Sequence, residues 1–273
     1  MRFRLRALGL HLTGSACALT LILGGLYLGW YRWPGWYLSG VLHVLLIVGI
    51  VDLALGPTLT FIIANPRKPR RELTRDIAII VTVQIAALIY GAATLWQGRP
   101  LYYAFSVNSL SMVQASDIEP GEIALARRQN PLFAPHWYSL PRWVWAPLPD
   151  NPQDAAKIVN SAVFGGGKDV VDMPRYFKPW AQGLPQLREQ LMRLDDIKQL
   201  NKAQKQSLMA RMSADGLAPQ QRSGLVMWGA DGVLRLLAVF DPVTLQIKAI
   251  LKPDTEPVPH QHPVTLPRRS AHP

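Results

Sequence analysis

The stretch that decides the fold runs from Leu38 to Ala64, LSGVLHVLLIVGIVDLALGPTLTFIIA. It is apolar throughout except for His43, small hydroxyl residues and one acid, Asp52. About 20 apolar residues cross the ~30 Å of bilayer hydrocarbon at 1.5 Å per residue. Backbone groups in lipid find no water, so each must be satisfied within its own segment and the run is a helix. Two further runs read the same way. Ala7 to Trp30 carries no charge and is broken only by His11 and small hydroxyl residues. Ile77 to Trp96 carries no charge and one amide, Gln84. Buried helices of soluble proteins are shorter and amphipathic, so three membrane spans are expected.

The charge supports this reading. The chain has 273 residues, with 29 lysines and arginines against 18 acids, a net of +11, yet only 17% of residues are charged. Soluble domains average about 25%. A basic soluble protein suggests nucleic acid, whereas a basic chain short of charge suggests a membrane, with cations at the span edges. Arg2, Arg4 and Arg6 precede the first run, and Arg67, Lys68, Arg70, Arg71 and Arg75 lie between the second and third. Only Arg32 separates the first from the second. The positive-inside rule places the N-terminus and the basic loop in the cytoplasm, and everything after Trp96 in the periplasm of a Gram-negative cell. The first run exceeds the roughly 7–15 residues of a signal-peptide core. It ends in Trp30, Tyr31, Trp33, Trp36 and Tyr37, an interfacial aromatic belt. The single cysteine, Cys17, excludes an intramolecular disulfide and any zinc site needing two cysteines. Gly14-Ser15-Ala16 makes a poor lipoprotein box, so Cys17 is expected to pack within the first span.

The expected fold class is therefore an α+β membrane protein. Residues 1–97 form three transmembrane helices, 98–252 a small mixed α/β periplasmic domain, and 253–273 a disordered, proline-rich tail. Leu101 to Val113 reads as a strand or a bent pair of strands. Asn130 to Pro152 holds six prolines and three tryptophans. That density predicts an irregular surface segment, at the outer membrane–water interface. Asn151 to Val163 reads as a short helix begun at Pro152. Gly165-Gly166-Gly167-Lys168 fails as a phosphate loop, because Ala162 stands at the first glycine position and Asp169 follows the lysine. Leu187, Leu191, Leu194, Ile197, Leu200, Leu208 and Met212 form one apolar stripe, on one helix or on two broken near Asp195-Asp196. Leu225–Trp228, Val233–Phe240 and Thr244–Leu251 read as an antiparallel meander turned at Asp231-Gly232.

No catalytic constellation, metal site or cofactor motif emerges, and no G-x-S-x-G context places a nucleophile. His260 and His262 lie in the tail, where chance composition explains them. Asp52 is the unusual residue. A carboxylate in mid-span costs about 2.5–3.5 kcal/mol on insertion scales. Gly56-Pro57 follows it, and the proline frees a backbone carbonyl and kinks the helix. By depth, Gln84 and Tyr90 of the third span are its expected partners. Two readings stand for Asp52: a hydrogen bond joining two spans, or a contact with a partner helix in the bilayer.

The basic start and first span lead into Asp52-Leu53-Ala54-Leu55-Gly56-Pro57-Thr58-Leu59-Thr60 and the basic loop. Asp76-Ile77, Gln84-Ile85-Ala86-Ala87-Leu88-Ile89-Tyr90-Gly91, and Arg99-Pro100 ahead of Phe105-Ser106-Val107 follow in that order. Over about the first 115 residues this resembles the TfpX/TfpZ family of type IV pilin accessory proteins. The resemblance implies a non-enzymatic inner-membrane protein that assists a type IV pilin, modulating pilus assembly or pilin stability. On that footing Asp52, Gly56, Pro57, Gln84, Tyr90 and Arg99 are candidate partner-binding residues. The expected partners are the major pilin subunit and the lipid bilayer, with no nucleic acid. The neighbourhood of Asp52 is expected to meet the pilin helix and residues 98–252 the pilin head. Two other readings remain. A membrane anchor with a ligand-sensing periplasmic domain would show a concave apolar pocket with converging polar groups in that domain. An envelope enzyme or transporter subunit would need several polar groups along its spans.

Overall fold

The computed structural model describes residues 1–164, 168–253 and 258–259. The chain forms two compact units, Met1–Leu101 with Gln114–Ser116, and Tyr102–Val113 with Asp117–Pro273.

The first unit contains the three long apolar helices, α1 (Arg2–Gly29), α2 (Leu42–Ile63) and α3 (Arg70–Gln97). All three have the length and composition to cross a membrane. Their outward faces are apolar: Leu10 is 79% exposed and Leu21 is 76% exposed. In water such faces would be costly, whereas lipid tails accept them. Cys17 is exposed on α1 instead of packed inside the span. The helix places it on the outward face, and a thiol is apolar enough for lipid.

Both α1 and α3 pack on α2 and touch each other less. Gly91 of α3 lets the two backbones approach, because a Cβ there would meet Val48 Cγ2 at 2.4 Å. Two polar ties close the ends of the unit. Arg4 Nε donates to Ala64 O at 3.0 Å, so the basic N-terminus and the start of the basic loop share one end. Tyr31 Oη donates to Leu95 O at 2.7 Å at the other. There the aromatic belt is packed, with Trp30 and Trp96 edge to face at 4.9 Å.

α2 is irregular where the sequence places Asp52. Leu42–Gly49 is α-helical, Ile50–Leu55 is a π-helical turn, and Gly56–Ile63 returns to α. The cause is Pro57, which has no N–H to give the preceding turn. A π turn absorbs this by shifting the register by one residue, as Gly56 N–H bonding to Val51 O shows.

The second unit is built on one mixed sheet. Its strands are β1 (Pro100–Ser106), β2 (Ser109–Gln114), β3 (Arg142–Trp145), β4 (Lys178–Pro179), β5 (Gly224–Trp228), β6 (Val233–Phe240), β7 (Ile247–Leu251) and β8 (Val258–Pro259). The order is β4-β3-β1-β2-β5-β6-β7, and β8 pairs with β6 beyond the end of β7. β1 pairs parallel with β3, and β2 pairs parallel with β5. β5, β6 and β7 form the expected antiparallel meander, but as one side of this larger sheet. β1 is buried at every position, as a central strand requires.

Helices α4 (Pro120–Gln129), α5 (Pro152–Phe164), α6 (Leu184–Gln190) and α7 (Lys202–Ala214) accompany the sheet. The seven apolar residues of the expected stripe are all buried, but α6, α7 and the turns between them share them. The chain leaves the helix because Met192 bridges to Gly224 of β5. α7 restarts at a capping box, in which Asn201 Oδ1 accepts from Gln204 N–H and Gln204 Oε1 accepts from Asn201 N–H. Leu208 and Met212 of α7 pack with Leu194, Ile197 and Leu200 against Val226, Leu237 and Val239 of the sheet.

The proline-rich segment departs from expectation. Arg142–Trp145 is strand β3, because Pro141 and Pro147 flank those four residues without interrupting them. Gly165–Gly167 and the histidines His260 and His262 lie outside the described residues. So does most of the predicted tail, although the described Val258–Pro259 is paired.

Candidate functional site

The three apolar helices enclose a groove of about 420 Å³. Ala7, Leu10, Gly14 and Ala18 of α1 form one wall, and Ile77, Val81, Ile85 and Leu88 of α3 the other. Small residues on α1 keep it open, and α2 forms its floor. The floor is polar. His11 and Ser15 reach it from α1, Asp52 and Thr60 from α2, and Gln84 from α3. Asp52, Thr60 and Gln84 are 3%, 2% and 7% exposed, so the polar groups are hidden under apolar walls.

The irregular turn explains how Asp52 and Gln84 meet. In the π register the donor for Asp52 O would be Pro57, which has none. Gln84 Nε2 approaches that carbonyl at 3.5 Å, and Val51 O and Asp52 Oδ1 at 3.4 Å each. One amide is thus divided among three acceptors at the long end of hydrogen-bond range. Gly56 makes the approach geometrically accessible, because a Cβ there would stand 1.9 Å from Gln84 Nε2. Asp52, Gly56, Pro57 and Gln84 therefore act as one unit. The second polar pair is His11 Nδ1 with Thr60 Oγ1 at 2.6 Å, joining α1 to α2.

Acceptors remain without donors. Asp52 Oδ2 and Gln84 Oε1 are buried with no hydrogen-bond partner. A buried unsatisfied polar group costs about 1–3 kcal/mol. The groove thus presents apolar walls and, on its floor, two acceptors without donors.

The other two candidates lie elsewhere. Tyr90 is on α3 but 77% exposed, so it does not reach Asp52. Arg99 follows α3, about 20 Å beyond Gln84 at 1.5 Å per residue. Its Nη1 donates to Trp96 O at 2.6 Å, and its guanidinium lies 4.4 Å from the Trp96 ring centroid. Burial holds the guanidinium below its usual pKa, partly opposed by Tyr31. Burial also pushes the Tyr31 phenol up. The pattern is that of a packed closure for the end of the helices. His11 and Thr60 were not singled out in the sequence. His11 has a local signal, since it and Ser15 are four apart on the face that carries Gly14 and Ala18, but nothing local points to its pairing with Thr60.

The second unit has a smaller hollow of about 360 Å³ beside Asn130, Pro147, Asp150, Arg175, Phe177 and Lys178. Its polar groups hold the fold together. Asn130 Nδ2 donates to Pro174 O and Phe177 O at 3.1 and 2.8 Å. Arg175 Nη1 bonds Glu122 Oε1 at 2.6 Å. Lys178 lies over the Trp145 ring. Nearby in sequence, burial and the neighbouring Asp117 push the Asp172 carboxyl up to about 7. Among the described residues, no group of three or more His, Cys, Asp or Glu side chains is placed to hold a metal ion.

Comparison with known proteins places the chain beside proteins named for fimbrial assembly, all from Dichelobacter nodosus. It is 26% identical over 210 residues to the fimbrial assembly protein of serogroup E1, covering 76% of this chain and 79% of that one. The serogroup I protein is 26% identical over 190 residues, covering 68% and 71%. The protein of serogroups C1 and C2 is 29% identical over 124 residues, covering 45% of this chain and 95% of the relative. No family model matches the chain. No solved structure matches it either.

Proposed function

We propose that this chain is an inner-membrane accessory protein that binds type IV pilin and modulates pilus assembly or pilin stability. Its three spans set the N-terminus in the cytoplasm and the sheet-bearing unit in the periplasm, following the distribution of arginine and lysine. The groove takes the pilin's membrane helix, with Asp52 and Gln84 accepting from a donor on that helix. The periplasmic unit meets the pilin head. The observation that carries this reading is the pair of buried, donorless acceptors in an intramembrane groove. Similarity to fimbrial assembly proteins supplies the biological setting. The role is non-enzymatic: binding and positioning suffice for it.

The test is capture of pilin in the living cell. Wild-type protein crosslinked through its sheet-bearing unit should yield pilin by mass spectrometry. Asp52→Leu should lose pilin capture while still inserting and accumulating. Undiminished capture by the variant would remove Asp52 from the interface. Failure to accumulate would assign Asp52 to joining α2 and α3 instead.

A further inference from the structure

The segment between α4 and β3 is anchored at its base and apolar at its tip. Phe133 and Ala134 are buried. Tyr102 Oη donates to Phe133 O at 2.6 Å, and the Arg142 guanidinium stands 5.0 Å from the Phe133 ring centroid. From this base Leu132, Trp137, Tyr138 and Leu140 project outward, with Trp137 71% and Leu132 66% exposed. The tip is held in shape. Ser139 N–H donates to His136 O at 3.1 Å, and His136 N–H donates to Ser139 Oγ at 2.9 Å. The His136 and Tyr138 rings stack at 5.3 Å, and Trp137 meets Tyr138 edge-on at 5.5 Å. Just before the segment, Arg127 and Arg128 are exposed in the last turn of α4.

Four large apolar side chains displayed on one short structured segment mark an interaction site. Their chemistry selects the partner. Tryptophan and tyrosine place an apolar ring body in the acyl boundary and a polar edge among headgroups. Adjacent arginines complement lipid phosphates. The same chain carries three helices fit to cross a bilayer, so a lipid surface is always within tether range. We propose that residues 127–140 form an interfacial anchor seated on an anionic bilayer. Leu132, Trp137, Tyr138 and Leu140 enter the headgroup–acyl boundary, and Arg127 and Arg128 meet the phosphates. The anchor rests on the second unit's own surface and does not depend on what occupies the groove between the helices.

The experiment uses the full chain reconstituted in vesicles, one set of phosphatidylcholine and one also containing phosphatidylglycerol. Cys17 is first replaced by serine, and a single cysteine is introduced by Tyr138→Cys or, as a control on the same unit, by Lys198→Cys. Each is labelled with an environment-sensitive fluorophore, and spin-labelled lipid serves as quencher. The label at position 138 should be quenched several-fold more than that at 198, and more strongly with phosphatidylglycerol. Arg127→Gln with Arg128→Gln should remove the phosphatidylglycerol increment. Trp137→Ser with Leu140→Ser should reduce quenching in both vesicles. Quenching at 138 no greater than at 198 would overturn the anchor. So would protection of position 138 that develops only when pilin is added, because the surface would then serve a protein. Quenching indifferent to phosphatidylglycerol would overturn the part assigned to Arg127 and Arg128.

Discussion

Gly56→Ala probes the junction of α2 and α3 with a single methyl group. The added Cβ would stand 1.9 Å from Gln84 Nε2, 2.2 Å from Cδ and 2.3 Å from Oε1, where ordinary contact begins at 3.4 Å. The amide must therefore retreat by about 1.5 Å, the difference between 3.4 and 1.9 Å. Its contacts to Val51 O, Asp52 O and Asp52 Oδ1 already lie at 3.4–3.5 Å, so this retreat breaks all three. Overpacking costs about 1–3 kcal/mol. The three long contacts share one amide group, so their loss together adds about the 0.6 kcal/mol of one average interhelical hydrogen bond in a membrane. Alanine's better helix propensity returns about 0.5–1 kcal/mol. A net loss of about 1–3 kcal/mol is expected. Gln84→Ala removes the obstructing amide, so Gly56→Ala in that background should cost little or stabilise slightly. Unfolding by denaturing detergent, measured for wild type, both single variants and the double variant, reads the coupling directly. A coupling of about 1–3 kcal/mol is expected. Additivity within about 0.5 kcal/mol would refute the contact.

Three further outcomes follow from the same geometry. Thr60→Val removes the acceptor or donor for His11 and should lower stability in detergent by about 0.6 kcal/mol, and at most about 1.7 kcal/mol; no change would show that the α1–α2 bond contributes nothing. Asn201→Ala breaks the capping box of α7 and should cost about 1 kcal/mol, seen as faster proteolysis of the sheet-bearing unit. Asp172 concerns pH. Its folded pKa of about 7 exceeds the ordinary carboxyl value of 3.8, so the folded unit binds the extra proton between them. Stability from this group is complete below about 4 and declines as pH rises through about 7, by no more than about 4 kcal/mol. Asp172→Asn should flatten the fall in thermal stability between pH 5 and 8, and an unchanged pH profile would contradict the shift.

The spans were legible because a bilayer imposes length and composition on any helix that crosses it. The pairing of Asp52 with Gln84 was legible because depth alone brought them level. Depth does not fix rotation, which is why Tyr90 fails as a partner. It follows Gln84 by six residues, about 240° around the helix at 100° per residue, and so faces outward. The His11–Thr60 bond needs two helices in known rotation, 49 residues apart in sequence, and no local pattern contains that. Pro57 announced an irregularity, but whether a kink or a π turn would absorb it depends on what packs beside it. In the second unit, burial at positions 187 to 212 was legible, and a break near Asp195-Asp196 was one of two alternatives; deciding for it needs the long-range bridge from Met192 to Gly224. Likewise β3 is four residues long and gains its strand identity from β1.

Photocrosslinking within the membrane tests whether the groove holds the pilin helix. A photoreactive residue is placed in living cells at Ser15 or Val81, which line the groove, or at Leu21, which faces outward at 76% exposure. Pilin adducts through the membrane helix are expected at Ser15 and Val81, few at Leu21, and their loss on Asp52→Leu. Adducts equally frequent at Leu21, or none from the groove in cells that make pilin, would contradict that placement.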